Sequence, residues 1–203
     1  MSAARRGAPV RLGRRQGGAT AVEVALLALV FFLVVFTALE LARLIYVYNT
    51  LQEVTRRAAH ELVTHAPANP DSAEIMDIRR RAIFQTTGDA LFMGEPVTVQ
   101  HVRVDYQSLI RDPSDGSLKR VATAPLPSCA ATNRQLCQAN PNDPGCVRFV
   151  RVRICDTADA ASCGKVKYVP AFPLVPLDIN LPTSSTVVPA ESLGYVPGTK
   201  PCP

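Results

Sequence analysis

Six cysteines are the residues of this chain with the most definite chemistry. They are Cys129, Cys137, Cys146, Cys155, Cys163 and Cys202. Seven or eight residues separate neighbouring cysteines among the first five, and no histidine lies among them. Those separations do not match a zinc knuckle, so we expect no metal site. An even number of cysteines in an oxidising compartment predicts three disulfides, although the sequence does not select the pairing.

The second feature is a carboxylate in an apolar segment. Residues 19–39 read ATAVEVALLALVFFLVVFTAL and carry a single charge, that of Glu23. A charged side chain inside a bilayer costs about 2.5–3.5 kcal/mol or more, so such residues are usually paired and functional. Two interpretations stay open. Either Glu23 sits near the interface and reaches water, or an amine of a neighbouring subunit pairs with it as helices stack.

The apolar segment itself predicts a transmembrane helix, because about 20 apolar residues span a hydrocarbon core. The basic residues before it are Arg5, Arg6, Arg11, Arg14 and Arg15. Glu40 and Arg43 follow it, and their charges cancel. The positive-inside rule therefore predicts a cytoplasmic N-terminus and export of the chain from about residue 45 onward, cysteines included.

Charge and motifs exclude several function classes. The net charge is +5, and the basic leader alone supplies it, so the rest of the chain is neutral. A neutral body argues against a nucleic-acid-binding face, and we expect Arg79–Arg81 to be a solvated helix face. No catalytic or cofactor-binding motif is present, and His60 and His65 are predicted surface residues. We therefore expect neither an enzyme nor a cofactor.

One long helix is predicted over residues 19–65. No proline or glycine interrupts residues 40–65, and Pro67 ends the pattern. A cleaved secretory signal would have a shorter apolar run. A helical pattern of mostly apolar residues continues beyond the membrane and recurs mostly every three or four residues. Its members are Leu41, Leu44, Ile45, Tyr48, Leu51, Val54, Ala58, Glu61 and Leu62.

The remainder has an α+β pattern. Asp71 and Glu74 resemble a capping box, which begins a second helix predicted over residues 71–92. Alternating apolar residues predict antiparallel strands with one wet face. Their predicted ranges are 97–106 (with a bulge near residue 100), 147–155 and 165–169, and a fourth at 179–181 or 186–188. Residues 108–146 are predicted to form a turn-rich loop, and residues 195–203 a loose tail.

The N-terminal quarter of the chain resembles a known family. A basic leader, a glycine before an apolar helix and a glutamate near its start are marks of type IV prepilin-like proteins. Residues 14–66 resemble more narrowly the TadE-like family, pseudopilins or minor pilins of the tight-adherence (Tad, Flp) pilus machinery. AVEVALL, ELARLIYVYNTL and TRRAAH carry this resemblance, in that order. The family often has a proline near Leu29 and a glycine near Thr37, and this chain has neither.

The resemblance implies that a membrane prepilin peptidase cleaves the chain between Gly18 and Ala19. Glu23 would then be the fifth residue of the mature chain, about one helical turn from a new amine. Gly17 offers an alternative register, which would make Glu23 the sixth residue. A glycine at the cut suits the chemistry, since its backbone can approach a protease closely.

The predicted organisation is a basic leader (1–18), a transmembrane and projecting pilin-like helix (19–66) and an exported α+β domain with Cys-rich loops (67–203). The predicted function is assembly of a tight-adherence or type IVb-like pilus from the bacterial inner membrane. Its partners would be the prepilin peptidase, other pilin-like subunits and assembly components. The alternative is an uncleaved single-pass protein whose disulfide-linked domain binds a periplasmic or surface partner.

Overall fold

A single helix dominates the computed structural model, which describes residues 17–158, 162–172 and 178–202. This helix, α1, runs over Gly17–Leu62, 46 residues or about 70 Å. The predicted long helix is confirmed, and it ends three residues before the predicted end. The basic leader, residues 1–16 of the predicted 1–18, lies outside the described residues.

The C-terminal half of α1 forms the centre of the core of the α+β domain. Five of its apolar side chains are fully buried and recur every three or four residues: Val47, Leu51, Val54, Ala58 and Leu62. Leu41 and Ile45, which belong to the predicted helical pattern, are exposed. Sequence spacing alone does not show which face of the helix is buried. Contact with the sheet buries the face that contains Val47.

The second helix, α2, is shorter than predicted and covers Ala73–Ala82. Ser72, not Asp71, caps it, because the Ser72 hydroxyl accepts the backbone N–H of Ile75. The helix stops where Phe84 takes a left-handed conformation, with φ +62°. The loop that follows then bonds to itself, with the Leu91 N–H donating to Val97 O at 2.9 Å.

The prediction that the arginine run on α2 is a solvated helix face is wrong at Arg79 and holds at Arg81, which is exposed. Arg79 is buried. Arg80 pairs with Asp89, and Arg81 pairs with Glu61 of α1 at 2.5 Å. The run therefore fastens α2 to its neighbours, and the Arg81–Glu61 pair joins the two helices directly.

Four antiparallel strands form one sheet in the order β2-β1-β3-β4, which confirms the α+β class. They are β1 (Val102–Arg111), β2 (Leu118–Ala122), β3 (Phe149–Ile154) and β4 (Ser185–Pro189). Val102, Val104 and Tyr106 of β1 lie opposite Ile154, Val152 and Val150 of β3, and all six are buried. This apolar face packs against α1 and α2.

The opposite face of the sheet is charged. Asp105 of β1 accepts ion pairs from Arg151 at 3.1 Å and Arg153 at 2.8 Å, both on β3. Arg103 lies opposite Arg153 on the same face. The alternation of residues 149–154 thus gives one wet face, as predicted.

Several strand and loop predictions need correction. A 3-10 turn over Val99–His101 stands where the bulge was predicted, so β1 starts later and runs further. Residues 165–169 supply only an isolated bridge, Lys167 to Asn180. The predicted loop at 108–146 contains β2 and a third helix, α3 (Ala130–Ala139). Both are polar segments, without the apolar period that makes an element visible in a sequence.

The six cysteines lie in three disulfides: Cys129–Cys202, Cys137–Cys146 and Cys155–Cys163. The second closes the end of α3 onto the start of β3. The first ties the tail, predicted to be loose, to the residue that precedes α3. Gly194, the residue before the tail, lies against the segment that follows α1, where a Cβ would be 2.8 Å from Thr64 O.

The long-range disulfide should contribute more stability than a local one. Cross-linking Cys129 to Cys202, 73 residues apart, removes more unfolded-state entropy than linking Cys137 to Cys146, nine apart. The chain-entropy relation gives about 4.4 and about 2.7 kcal/mol respectively. Replacing each pair by serines and measuring urea unfolding in detergent should show that order. Equal losses would contradict it, and alkylation of the unreduced protein should find no thiol.

Candidate assembly interface along the first helix

The N-terminal half of α1 lies outside the folded domain. Most side chains from Thr20 to Leu39 are exposed, and Leu27 reaches 67%. The most apolar 18-residue window of the helix has a mean hydropathy of 2.8 and no buried residue. The Thr37 hydroxyl donates to Leu33 O at 2.7 Å, so this polar group is satisfied inside the helix. The length and composition are those of a helix that crosses a bilayer.

The predicted processing and pairing residues lie in the first two turns of α1. Glu23 is exposed, and within the described parts of the chain it forms no ion pair. A Cβ added at Gly18 would meet no atom within 4 Å. Ala19 is in the helix one turn before Glu23, and its side chain lies outside the described residues. Within the described residues, no other element packs on Gly18 or Glu23.

Glu23 shares one face of α1 with a line of exposed apolar side chains. At about 100° per residue, Glu23, Leu27, Val34, Leu41 and Ile45 lie within about 40° of one another. All five are exposed. The face that packs on the sheet lies roughly 130° away around the helix. We call these five residues the outer stripe.

The outer stripe extends past the apolar run. Ile45 is 62% exposed and lies six residues, about 9 Å, beyond Leu39. Tyr46, next to it, is also exposed. A bilayer that ends near Leu39 leaves both side chains in water. Exposed apolar side chains at this height on the helix suit either the membrane interface or a contact with another protein.

A buried carboxylate joins α1 to the far end of the chain. Glu40 is fully buried. Its oxygens accept the Tyr168 hydroxyl at 2.5 Å and the backbone N–H groups of Ala171 at 3.2 Å and Phe172 at 3.3 Å. Arg43, one turn on, lies 3.3 Å away. A buried charge is tolerated only with such partners, so this cluster fixes loop 168–172 on the helix.

Arg43 connects the same cluster to a second loop. Its guanidinium donates to Met93 O at 2.8 Å, to Val169 O at 2.9 Å and to the Tyr168 hydroxyl at 3.2 Å. Burial, then the bond to Glu40, raises the pKa of Tyr168 to about 12. The phenol therefore keeps its proton and stays a donor to the carboxylate at physiological pH. We call Glu40, Arg43 and Tyr168 the clamp.

Comparison with known families shows what this helix is similar to. Residues 18–60 match the family model described as TadE-like protein. This segment is TadE-like. The match confirms the predicted family, and no curated protein and no solved structure matches the chain.

The TadE-like segment covers about a fifth of the chain and ends near the end of α1. It includes the whole outer stripe, together with Glu40 and Arg43 of the clamp. Tyr168, the sheet and the cysteines lie outside it. The clamp therefore connects the TadE-like helix to a domain that the family model does not describe.

Sequence reasoning missed the clamp and treated Glu40 and Arg43 as cancelling charges. The sequence did contain one local signal. A glutamate directly after an apolar run, with an arginine three residues later, is unusual for a pair that is exposed to water. The remaining partner, Tyr168, is 128 residues away. The other predicted residues are unremarkable, since His60 is exposed and His65 is half-buried against Glu61 O. The described residues contain no group of metal ligands.

Replacing Glu40 by alanine should destabilise the exported domain by about 3–5 kcal/mol, because it leaves Arg43 and two backbone amides without their buried partner. Glu40→Gln keeps one acceptor but presents an amide donor to other donors, so its loss should be intermediate. Urea unfolding in detergent, followed by near-ultraviolet circular dichroism of the tyrosines, measures this.

Glu53→Gln is the control for the Glu40 series. Glu53 is on the same helix and pairs with Arg57 at 3.6 Å, but both side chains are half exposed. That change should cost no more than about 0.5 kcal/mol. Equal effects at residues 40 and 53 would show that the clamp does not hold the domain on the helix.

Proposed function

We propose that this chain is a pilin-like subunit that acts in assembly of a tight-adherence or type IVb-like pilus. Its leader is removed by a prepilin peptidase between Gly18 and Ala19. The apolar half of α1 anchors it once in the bacterial inner membrane, with a cytoplasmic N-terminus and the α+β domain in the periplasm or outside the cell. Its work is assembly with other pilin-like subunits rather than catalysis.

The observation that carries this proposal is the outer stripe. A protein that uses its helix only as an anchor needs apolar residues over the membrane and polar ones beyond it. Here the apolar line continues to Ile45, on a side of the helix that does not pack on the sheet. A neighbouring helix packed along that line would cover both the intramembrane and the extramembrane part.

Glu23 fits the same arrangement. It is on the outer stripe, so a helix packed there meets the carboxylate directly. Cleavage at Gly18 would give each subunit an amine one turn from its own Glu23, and a staggered neighbour could bring its amine to that charge. Pairing with the amine removes much of the free-energy cost of a charge in an apolar setting. The stagger between helices that brings the amine to Glu23 is therefore energetically favoured.

The mature N-terminus should read Ala-Thr-Ala-Val-Glu, which Edman sequencing or intact mass of protein from the native host determines. Gly18→Val should block cleavage and leave the full-length chain, whereas Gly17→Val should still be cut. Since a side chain at Gly18 meets no neighbour, this block would not reflect misfolding. The reverse result would assign the cut to the Gly17 register, and a retained leader in the wild type would favour the uncleaved membrane protein.

Glu23→Ala and Ile45→Ser should each reduce incorporation into pili or into assembly complexes while leaving membrane insertion and the domain's unfolding free energy unchanged. Both changes remove a contact of the outer stripe without touching the core. Cross-linking and pilus recovery, with membrane fractionation, measure the effect.

Glu53→Ala and Asn49→Ser are matched controls, because both positions are exposed on α1 but lie off the outer stripe. Neither should affect assembly. If Glu23→Ala and Ile45→Ser also assemble normally, the stripe is not the packing surface and the pilin proposal loses its main support.

A further inference from the structure

A second exposed apolar surface lies at the end of the domain nearest the apolar run. A groove of about 610 Å³ opens between α1 and two loops, at residues 90–95 and 168–172. Phe92 is 65% exposed and Met93 49%. Leu39 and Phe172 line the same groove. Adjacent exposed aromatic and thioether side chains on one loop are unusual for a surface in water.

The two loops are held at a defined height on the helix. The backbone oxygens of Met93 and Val169 both accept from Arg43. The Phe172 ring stacks on Phe36, with 4.9 Å between ring centroids. The groove therefore lies at the level of residues 36–43 of α1, and the clamp prevents it from moving along the helix.

That level coincides with the membrane boundary. A hydrocarbon core of about 30 Å takes about 20 residues of helix. If the core begins at Ala19 it ends near Leu39, and if it begins just after Glu23 it ends near Arg43. Phe36 lies inside the core in both registers, and Phe172 is stacked on it. The two loops therefore lie at the edge of the hydrocarbon core in both registers and in any register between them.

We propose that the groove and the tip of loop 90–95 are a membrane-contact surface, with Phe92 and Met93 inserted among the acyl chains at the interface. Aromatic and apolar side chains gain from that position, while the neighbouring Glu95 and Gln85 at the rim remain at headgroup level. The exported domain then rests on the bilayer in a fixed orientation. This inference depends on α1 crossing the membrane, but not on pilus assembly.

The absence of tryptophan from the chain allows a direct test. Single-tryptophan variants of the full chain are reconstituted in phosphatidylcholine–phosphatidylglycerol vesicles, with bromine near the headgroup or deep in the acyl chains. Phe92→Trp reports the loop. Phe31→Trp, at an exposed position inside the apolar run, reports the span. Val196→Trp, equally exposed but beside the far end of α1, is the control.

Phe92→Trp emission should shift to shorter wavelength and lose intensity with the shallow bromine, Phe31→Trp should be quenched by the deep bromine, and Val196→Trp should not respond. If Phe31→Trp is quenched and Phe92→Trp is not, the helix spans the bilayer but the membrane-contact surface is refuted. A blue shift of Phe92→Trp without quenching would place the side chain against a second protein copy and also refute it. If Phe31→Trp is not quenched, both the anchor and this inference fail.

Discussion

The carboxylate of Glu40 is the constraint on which the arrangement of this protein depends. It lies where α1 passes from exposed apolar surface to buried core, and it is removed from water. Its charge is compensated by a phenol, a guanidinium and two backbone amides from a segment about 130 residues later. Since a buried charge without those partners would cost several kcal/mol, the loop can take only one place on the helix.

This constraint explains how one helix can serve two environments. Most side chains in the N-terminal half of α1 are exposed, although Phe36 near its end stacks on Phe172, and one face of the C-terminal half packs against the sheet and α2. The change from one to the other occurs within a single turn at Glu40, without a proline or glycine to break the helix. A TadE-like helix with the domain fixed to one side keeps its other side available along its whole length, which is what the outer stripe requires.

Features that depend on residues close together in the sequence could be predicted. The apolar run, the length of α1 and the alternation of β3 each follow from residues close in sequence, and each was predicted well. The end of α2 was not, because a left-handed residue at Phe84 stops it where the apolar period continues. β2 and α3 carry too few apolar residues to show a period.

The clamp and the disulfide pairing could not be predicted, because they join residues that are far apart in the sequence. Tyr168 meets Glu40 across 128 residues, and Cys202 meets Cys129 across 73. Contacts of that separation are set by the packing of the sheet on α1, so spacing in the sequence carries no information on them. The candidate processing residues were named from the sequence, whereas the outer stripe needed the fold to show which face of α1 remained uncovered.

The charged face of the sheet has a consequence for any bundle built from these helices. The sheet lies between α1 and that face, so a bundle with α1 at its axis must carry Asp105, Arg151 and Arg153 on its circumference. Whatever approaches the bundle from outside meets these charges, with the exposed Val187 of β4 beside Arg151 on the same face. Adhesion through that coat would weaken as ionic strength rises, while cohesion of the axial helices would not.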